Sequence, residues 1–126
     1  IGEEVEKAMK SAVERFPEVE TIEFTVAPQV TPDQGLPLHE WYIEFATPPK
    51  DLAAFELALD EKLQKLNSYY EDLVVGKVLR PLAVIPLKRD SFRNYMKVKG
   101  KLGGQNKVPR LSNDRQIADE LSAFKI

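Results

Sequence analysis

Apolar side chains recur at three- and four-residue spacing over two long stretches of the chain. From Glu3 to Phe16 they are Val5, Ala8, Met9, Ala12, Val13 and Phe16, with Glu3, Glu4 and Glu6 in the first turn and Arg15 in the last, charges that complement a helix dipole. Gly2 and Pro17 bracket this helix. From Leu52 to Leu66 the stripe is Leu52, Phe55, Leu59, Leu63 and Leu66, announced by Pro48, Pro49 and Asp51. Between the two helices the period drops to two. Thr21 to Val26 places Ile22, Phe24 and Val26 on one face and Thr21, Glu23 and Thr25 on the other, the pattern of a half-buried strand. Leu38 to Phe45 repeats it, with Trp41, Ile43 and Phe45 inward and Glu40, Tyr42 and Glu44 outward. The segment from Pro28 to Pro37, with its prolines, Asp33 and Gly35, reads as the loop that returns the chain as a hairpin.

Beyond the second helix the elements shorten. Asn67 to Leu79 reads as a short third helix on Tyr69, Tyr70, Leu73, Val74 and Val78, weakened by Gly76, with the tyrosine pair a packing feature rather than a base-stacking platform. Leu82 to Leu87 is almost wholly apolar, the mark of a strand covered on both sides or central to its sheet, and Pro86 suggests an early end or a bulge. Ser91 is placed to cap a helix running to about Lys99, with Phe92, Tyr95 and Met96 inward and Arg93, Lys97 and Lys99 outward. Asn113 reads as the cap of a last helix beginning at Asp114 and carrying Ile117, Ala118, Leu121 and Phe124. The expected fold is α+β: a small sheet of about three strands packed by helices, in the order α-β-β-α-(α)-β-α-α, within one domain spanning residues 1–126.

Composition narrows the function classes. With 43% hydrophobic and 30% charged residues, the chain has the profile of a globular protein. It has no run long and apolar enough for a membrane span and no signal-peptide pattern, so a cytoplasmic location is expected. The absence of cysteine excludes disulfides and thiolate metal sites, and a lone histidine, His39, leaves little from which to build a metal centre or a Ser-His-Asp triad. His39 itself reads as a strand-start residue bonded to its surroundings. No metal ligand set is expected in this chain. Because residue 1 is Ile rather than Met, the chain is expected to be a piece of something longer.

The net charge of −2 conceals an asymmetry: the first 76 residues carry 6 basic and 16 acidic side chains, the remainder 12 and 4. Much of that positive charge lies between Lys97 and Arg115, in K-V-K-G-K-L-G-G-Q-N-K-V-P-R-L-S-N-D-R. Gly100, Gly103 and Gly104 permit positive φ and close backbone approach to an anion, while Lys99, Lys101, Lys107 and Arg110 supply charge around it. Pro109 fixes its own φ and extends Val108, so Lys107 and Arg110 sit on a stiffened segment. The motif is not a Walker-type phosphate loop. On the two hairpin strands, Glu23, Glu40 and Glu44 share an outer face. Acid–base work by that cluster is the sharper reading and an ordinary polar strand face the plainer one.

Three stretches carry a family resemblance: H-E-W-Y-I-E-F (His39 to Phe45), N-S-Y-Y-E-D-L (Asn67 to Leu73) and, most specifically, G-K-L-G-G-Q-N-K-V-P-R-L (Gly100 to Leu111). Over nearly its whole length the chain resembles the C-terminal domain of the auxin-responsive acyl-acid amido synthetases, in the acyl-adenylating superfamily, and is read as a bacterial member. The resemblance implies a ligase that forms an acyl-adenylate from ATP and a carboxylic acid, then an amide with an amino acid. It implies a mobile C-terminal lid working on an N-terminal adenylating domain of the same chain, and inactive alone. ATP is the implied co-substrate, with Mg2+ bound mainly by the N-terminal domain. Lys107 matches the catalytic lysine of the Q-x-K-x-P-R run, expected to reach the α-phosphate; Gln105, Arg110, Gly103 and Gly104 match phosphate- or nucleotide-binding positions around it. Asn106 departs from the aromatic residue of plant members. The alternatives are a nucleic-acid-binding module using the basic loop, against which stand the net charge and the lack of a recognition motif, and a protein-interaction domain docking on an acidic surface.

Overall fold

The computed structural model describes residues 2–100 and 108–126. In chain order it holds α1 (Gly2–Arg15), β1 (Glu20–Gln29), β2 (Leu38–Thr47), α2 (Leu52–Leu66), α3 (Ser68–Val75), β3 (Ala83–Leu87), α4 (Ser91–Val98) and α5 (Gln116–Leu121), which runs on into a 3-10 turn, Ser122–Phe124. This is the expected α+β order. β1 and β2 form the hairpin, antiparallel with Val26 opposite Trp41, and β3 pairs with β2 in parallel after the α2–α3 crossover that such a connection needs. The hairpin strands run further into the predicted loop than expected, to Gln29. Gly35, at φ +83°, makes the turn, and Arg80 pins it by donating to the carbonyls of Leu36 and Pro37 at 3.0 and 2.8 Å.

The sheet order β1-β2-β3 puts β2 at the centre and β3 at an edge, so the apolar run Leu82 to Leu87 is not a central strand. Its apolar character comes from being covered on both faces. On one face Phe24, Val26, Trp41, Ile43, Phe45 and Val84 pack against α1 and α2 and against Tyr70 of α3. On the other, Ala27, Tyr42 and Leu87 pack against Phe92 and Tyr95 of α4, Ala118 and Leu121 of α5, and Val108. The molecule is therefore three layers, helices–sheet–helices, and the strands expected to be half-buried are covered on both sides. Thr25 and Tyr42 lie at the centre of the second interface, with Thr25 fully buried. Ile22 departs the other way: the pairing skips it between Thr21 and Glu23, a bulge that leaves it 48% exposed.

Two helix starts differ from expectation. α4 is capped from across the molecule: Asp90, at φ +68°, makes no side-chain cap bond, and the carboxylate of Glu44 accepts from the Asp90 and Phe92 amides at 2.7 and 2.9 Å. Ser91 instead donates its hydroxyl to the Lys88 carbonyl. α5 starts at Gln116 rather than Asp114, and Asp114 rather than Asn113 supplies the oxygen, accepting from the Gln116 amide at 3.0 Å.

Candidate functional site

The basic loop leaves α4 and rejoins the sheet at two well-defined points. At the exit, the Lys99 amide bonds back to the Tyr95 carbonyl at 3.1 Å and the Gly100 amide to the Lys97 carbonyl at 3.0 Å, with Gly100 at φ +73°, the left-handed close of a helix that a residue without Cβ makes cheaply. The Lys99 ammonium, expected to face an anion, lies 3.0 Å from Glu120, which also accepts from the Tyr95 hydroxyl at 2.8 Å. Burial first, then the bond to Glu120, pushes the Tyr95 phenol up to about 12. Lys101, Gly103, Gly104, Gln105, Asn106 and Lys107 lie outside the described residues.

At the return, Val108 is buried beneath α4 and α5, and the next four residues lie along the free edge of β1. Thr25 donates its hydroxyl to the Pro109 carbonyl at 2.5 Å, the Val26 amide donates to the Arg110 carbonyl at 2.8 Å, and the Ser112 amide donates to the Val26 carbonyl at 2.8 Å. Leu111 thus pairs with Val26 as one parallel rung. The Arg110 side chain turns toward the first layer: Nε donates to Glu6 of α1, Nη1 donates to Glu23 and to the Phe24 carbonyl at 2.8 Å, and the guanidinium carbon stands 4.3 Å from the centroid of the Phe24 ring. Burial disfavours the charge here, but the two carboxylates outweigh it and hold Arg110 above its ordinary pKa. Beside it, an open cleft of about 310 Å³ runs between α1 and β1. A second groove of about 240 Å³, lined by Tyr95, Met96, Lys99, Val108, Pro109 and Ile117, touches both ends of the loop.

The three strand carboxylates do share a face of the sheet, with Glu23 directly opposite Glu44, but that face is covered rather than outer. Glu23 binds Arg110. Glu40 pairs with Arg115 at 2.8 Å and accepts from the Tyr42 hydroxyl at 3.1 Å, and Glu44 is 1% exposed beneath α4. Each has a structural partner of its own. His39 stacks on Tyr70 with ring centroids 5.4 Å apart. Tyr70 is buried and donates to Asp60 at 2.5 Å, whereas Tyr69 is exposed, so the tyrosine pair forms no shared platform. Among the described residues no group of three or more His, Cys, Asp or Glu side chains is placed to hold a metal ion, and no helix is long and apolar enough to cross a membrane.

Sequence reasoning missed two residues that organise this region. Arg115 bridges Glu40, the Tyr42 hydroxyl, the Pro28 carbonyl and Asp119; the Arg115–Asp119 spacing of one helical turn was its visible signal. Glu6, the partner of Arg110, lies 104 residues away in sequence and gave none.

A three-layer α+β domain, in which Gly100 closes α4 and the strap from Val108 is fixed along β1, is the class of protein this fold defines. Residues 3–116 match the family model described as the GH3 family C-terminal domain, and the chain belongs to that family. Among solved structures, it is similar to one titled "GH3.15 acyl acid amido synthetase", with a TM-score of 0.76 and 18% identity over 98% of this chain. It is similar also to "AtGH3.15 acyl acid amido synthetase in complex with 2,4-DB", with a TM-score of 0.75 and 19% identity over 98% of this chain. The chain spans 24% and 23% of those two proteins respectively. Curated protein sequences give no match.

Proposed function

We propose that this chain is the C-terminal lid of an ATP-dependent acyl-acid amido synthetase, working in the cytoplasm on an N-terminal adenylating domain of the same protein and inactive without it. In the first half-reaction a carboxylate oxygen attacks the α-phosphorus of ATP, pyrophosphate leaves, and an acyl-adenylate forms. In the second, the amine of an amino acid attacks the acyl carbonyl, loses a proton, and AMP leaves with the C–O bond electrons as the amide forms. The lid's part in the first step is electrostatic. Lys107 brings a cation to the α-phosphate and acyl carboxylate as charge builds on the phosphorus, and Gln105 with the amides of Gly103 and Gly104 orients the phosphates. The second step requires the lid to move so that the amine can enter. Magnesium accompanies ATP as part of the substrate, held mainly on the N-terminal domain.

The observation that carries this reading is the family match, which takes in the whole basic loop. The anchors support it: Lys107 directly precedes buried Val108 and stands three residues before Arg110, so the segment entering the sheet from the lysine is held. The test is Lys107→Ala in the full-length protein, read as acid-dependent exchange of labelled pyrophosphate into ATP. Exchange is expected to fall by about 100-fold, the cost of removing one preorganised charge from a phosphoryl-transfer site, with the circular dichroism spectrum unchanged. A variant exchanging at the wild-type rate removes the assignment.

A further inference from the structure

Arg110 was expected among the phosphate-binding residues, and its surroundings suggest a different use. Its Nε donates to Glu6 and its Nη1 to Glu23 and the Phe24 carbonyl, so each of the two edges that could grip a phosphate bidentately, Nε with Nη2 and Nη1 with Nη2, already has one nitrogen taken, and one face of the guanidinium lies over the Phe24 ring. Glu6 belongs to α1 and Glu23 to β1, so the arginine ties a helix of the first layer and a strand of the sheet to one point of the returning chain. The main chain around it makes the three bonds to Thr25 and Val26 already described. Side chain and main chain thus fix one residue in both register and orientation. A carboxylate pair on an arginine is costly to exchange for a transient phosphate, because either carboxylate would be left beside an anion.

We infer that Arg110 is a positioning residue, and that the Glu6–Arg110–Glu23 clamp sets the register of the strap Val108–Ser112 on β1, and through it the place from which Lys107 approaches the nucleotide. The inference rests on the proposed function for its catalytic consequence but not for the clamp itself.

The variants that separate the two uses of Arg110 leave the arginine in place. In the full-length protein, Glu6→Gln/Glu23→Gln frees the guanidinium. A clamp predicts that the Ser112 and Val26 amides exchange with deuterium about tenfold faster, and that kcat for adenylate formation falls about tenfold with the KM for ATP within twofold, the signature of a misplaced group rather than a lost ligand. Arg110→Gln should match it, and the triple variant should be no worse than either. Arg110→Lys should not rescue, since one ammonium cannot meet both carboxylates and the Phe24 carbonyl in the same geometry. Wild-type kcat in Glu6→Gln/Glu23→Gln, with a raised KM for ATP in Arg110→Gln, overturns the inference and makes Arg110 a nucleotide ligand. If Lys107→Ala exchanges pyrophosphate normally, the proposed role of the lysine fails by itself. Amide protection at Ser112 then still decides the clamp: protection retained in the double variant overturns it. The single variants Glu6→Gln and Glu23→Gln, at side chains 52% and 23% exposed, supply the same readouts should the double variant fold poorly.

Discussion

His39 lies against the ring of Tyr70 in the first layer, and burial lowers its pKa below the ordinary value of 6.5, an effect that the nearby Asp60 carboxylate partly offsets. The folded chain therefore binds this proton less tightly than the unfolded chain does. The stabilising contribution is complete above pH 6.5 and is lost as pH falls through the lower folded value. His39→Phe keeps an aromatic ring for Tyr70 and removes the proton. Urea midpoints measured at about pH 7.5 and 5.5 should fall less for the variant than for the wild type, because neutral His is the folded form and charged His the unfolded one. Equal falls would mean that the site accepts the charge. Tyr70 is held the other way: burial and then its bond to Asp60 raise the phenol, so it stays a donor throughout that range.

The placement of elements depends on carboxylates that reach out of their own segments. β3 shows the arrangement most fully. Along its outer edge the Leu82 amide donates to Asp60 at 3.1 Å and the Val84 amide to Glu56 at 2.7 Å, two acids one turn apart on α2. Pro86 has no amide to satisfy, and the Lys88 amide donates to the Phe124 carbonyl at 3.0 Å. Pro86 thus marks neither a bulge nor an early end; it occupies the edge position where a missing donor costs nothing. Glu44 does for α4 what a local cap would. Glu44→Ala leaves the buried Phe92 amide and the part-buried Asp90 amide without an acceptor and should cost about 3 kcal/mol, whereas Ser91→Ala, which removes one hydroxyl donor, should cost about 1 kcal/mol. Denaturant titration of both variants checks this, and a larger loss at Ser91 would restore it as the cap. Here the limits of sequence reading are physical. Period and punctuation located α1, β2 and α2 closely, because those signals are local. A strand residue that reads as outward in the pattern, such as Tyr42 or Glu44, is buried by α4 and α5, whose short stripes say nothing about where they dock. The loop motif was legible by resemblance, but its clamp was not, since Glu23 and Glu6 lie 87 and 104 residues from Arg110.

Across the whole molecule the charge asymmetry of the sequence becomes an internal fit. The acidic first part builds α1 to α3, β1 and β2; the basic remainder supplies β3, the α4–α5 layer and the strap. Arg110 joins the two through Glu6 and Glu23, and Arg115 joins them through Glu40. Short segments also close both edges of the sheet, residues 110–112 on β1 and 124–126 on β3, which blunts an otherwise open template for strand pairing. Arg115 is the better place to measure what this fit contributes, because its four partners are structural and none belongs to the loop. Its side chain and that of Glu40 are 20% and 18% exposed, while Asp119 is 67% exposed. Arg115→Met keeps the aliphatic bulk but leaves the Glu40 carboxylate beside Tyr42 with no cation. The expected loss is about 2 kcal/mol, below the 3–5 typical of breaking a fully buried pair because some water reaches this one. Glu40→Gln in the Arg115→Met background should recover about half of that, since the uncompensated charge goes with it. Asp119→Asn should change stability by less than about 0.5 kcal/mol, as expected for an exposed pair one helical turn apart. If the double variant is no more stable than Arg115→Met, the cost lies in lost packing against Tyr42 and Pro28, and the charge fit between the two parts is incidental to how the α4–α5 layer is held.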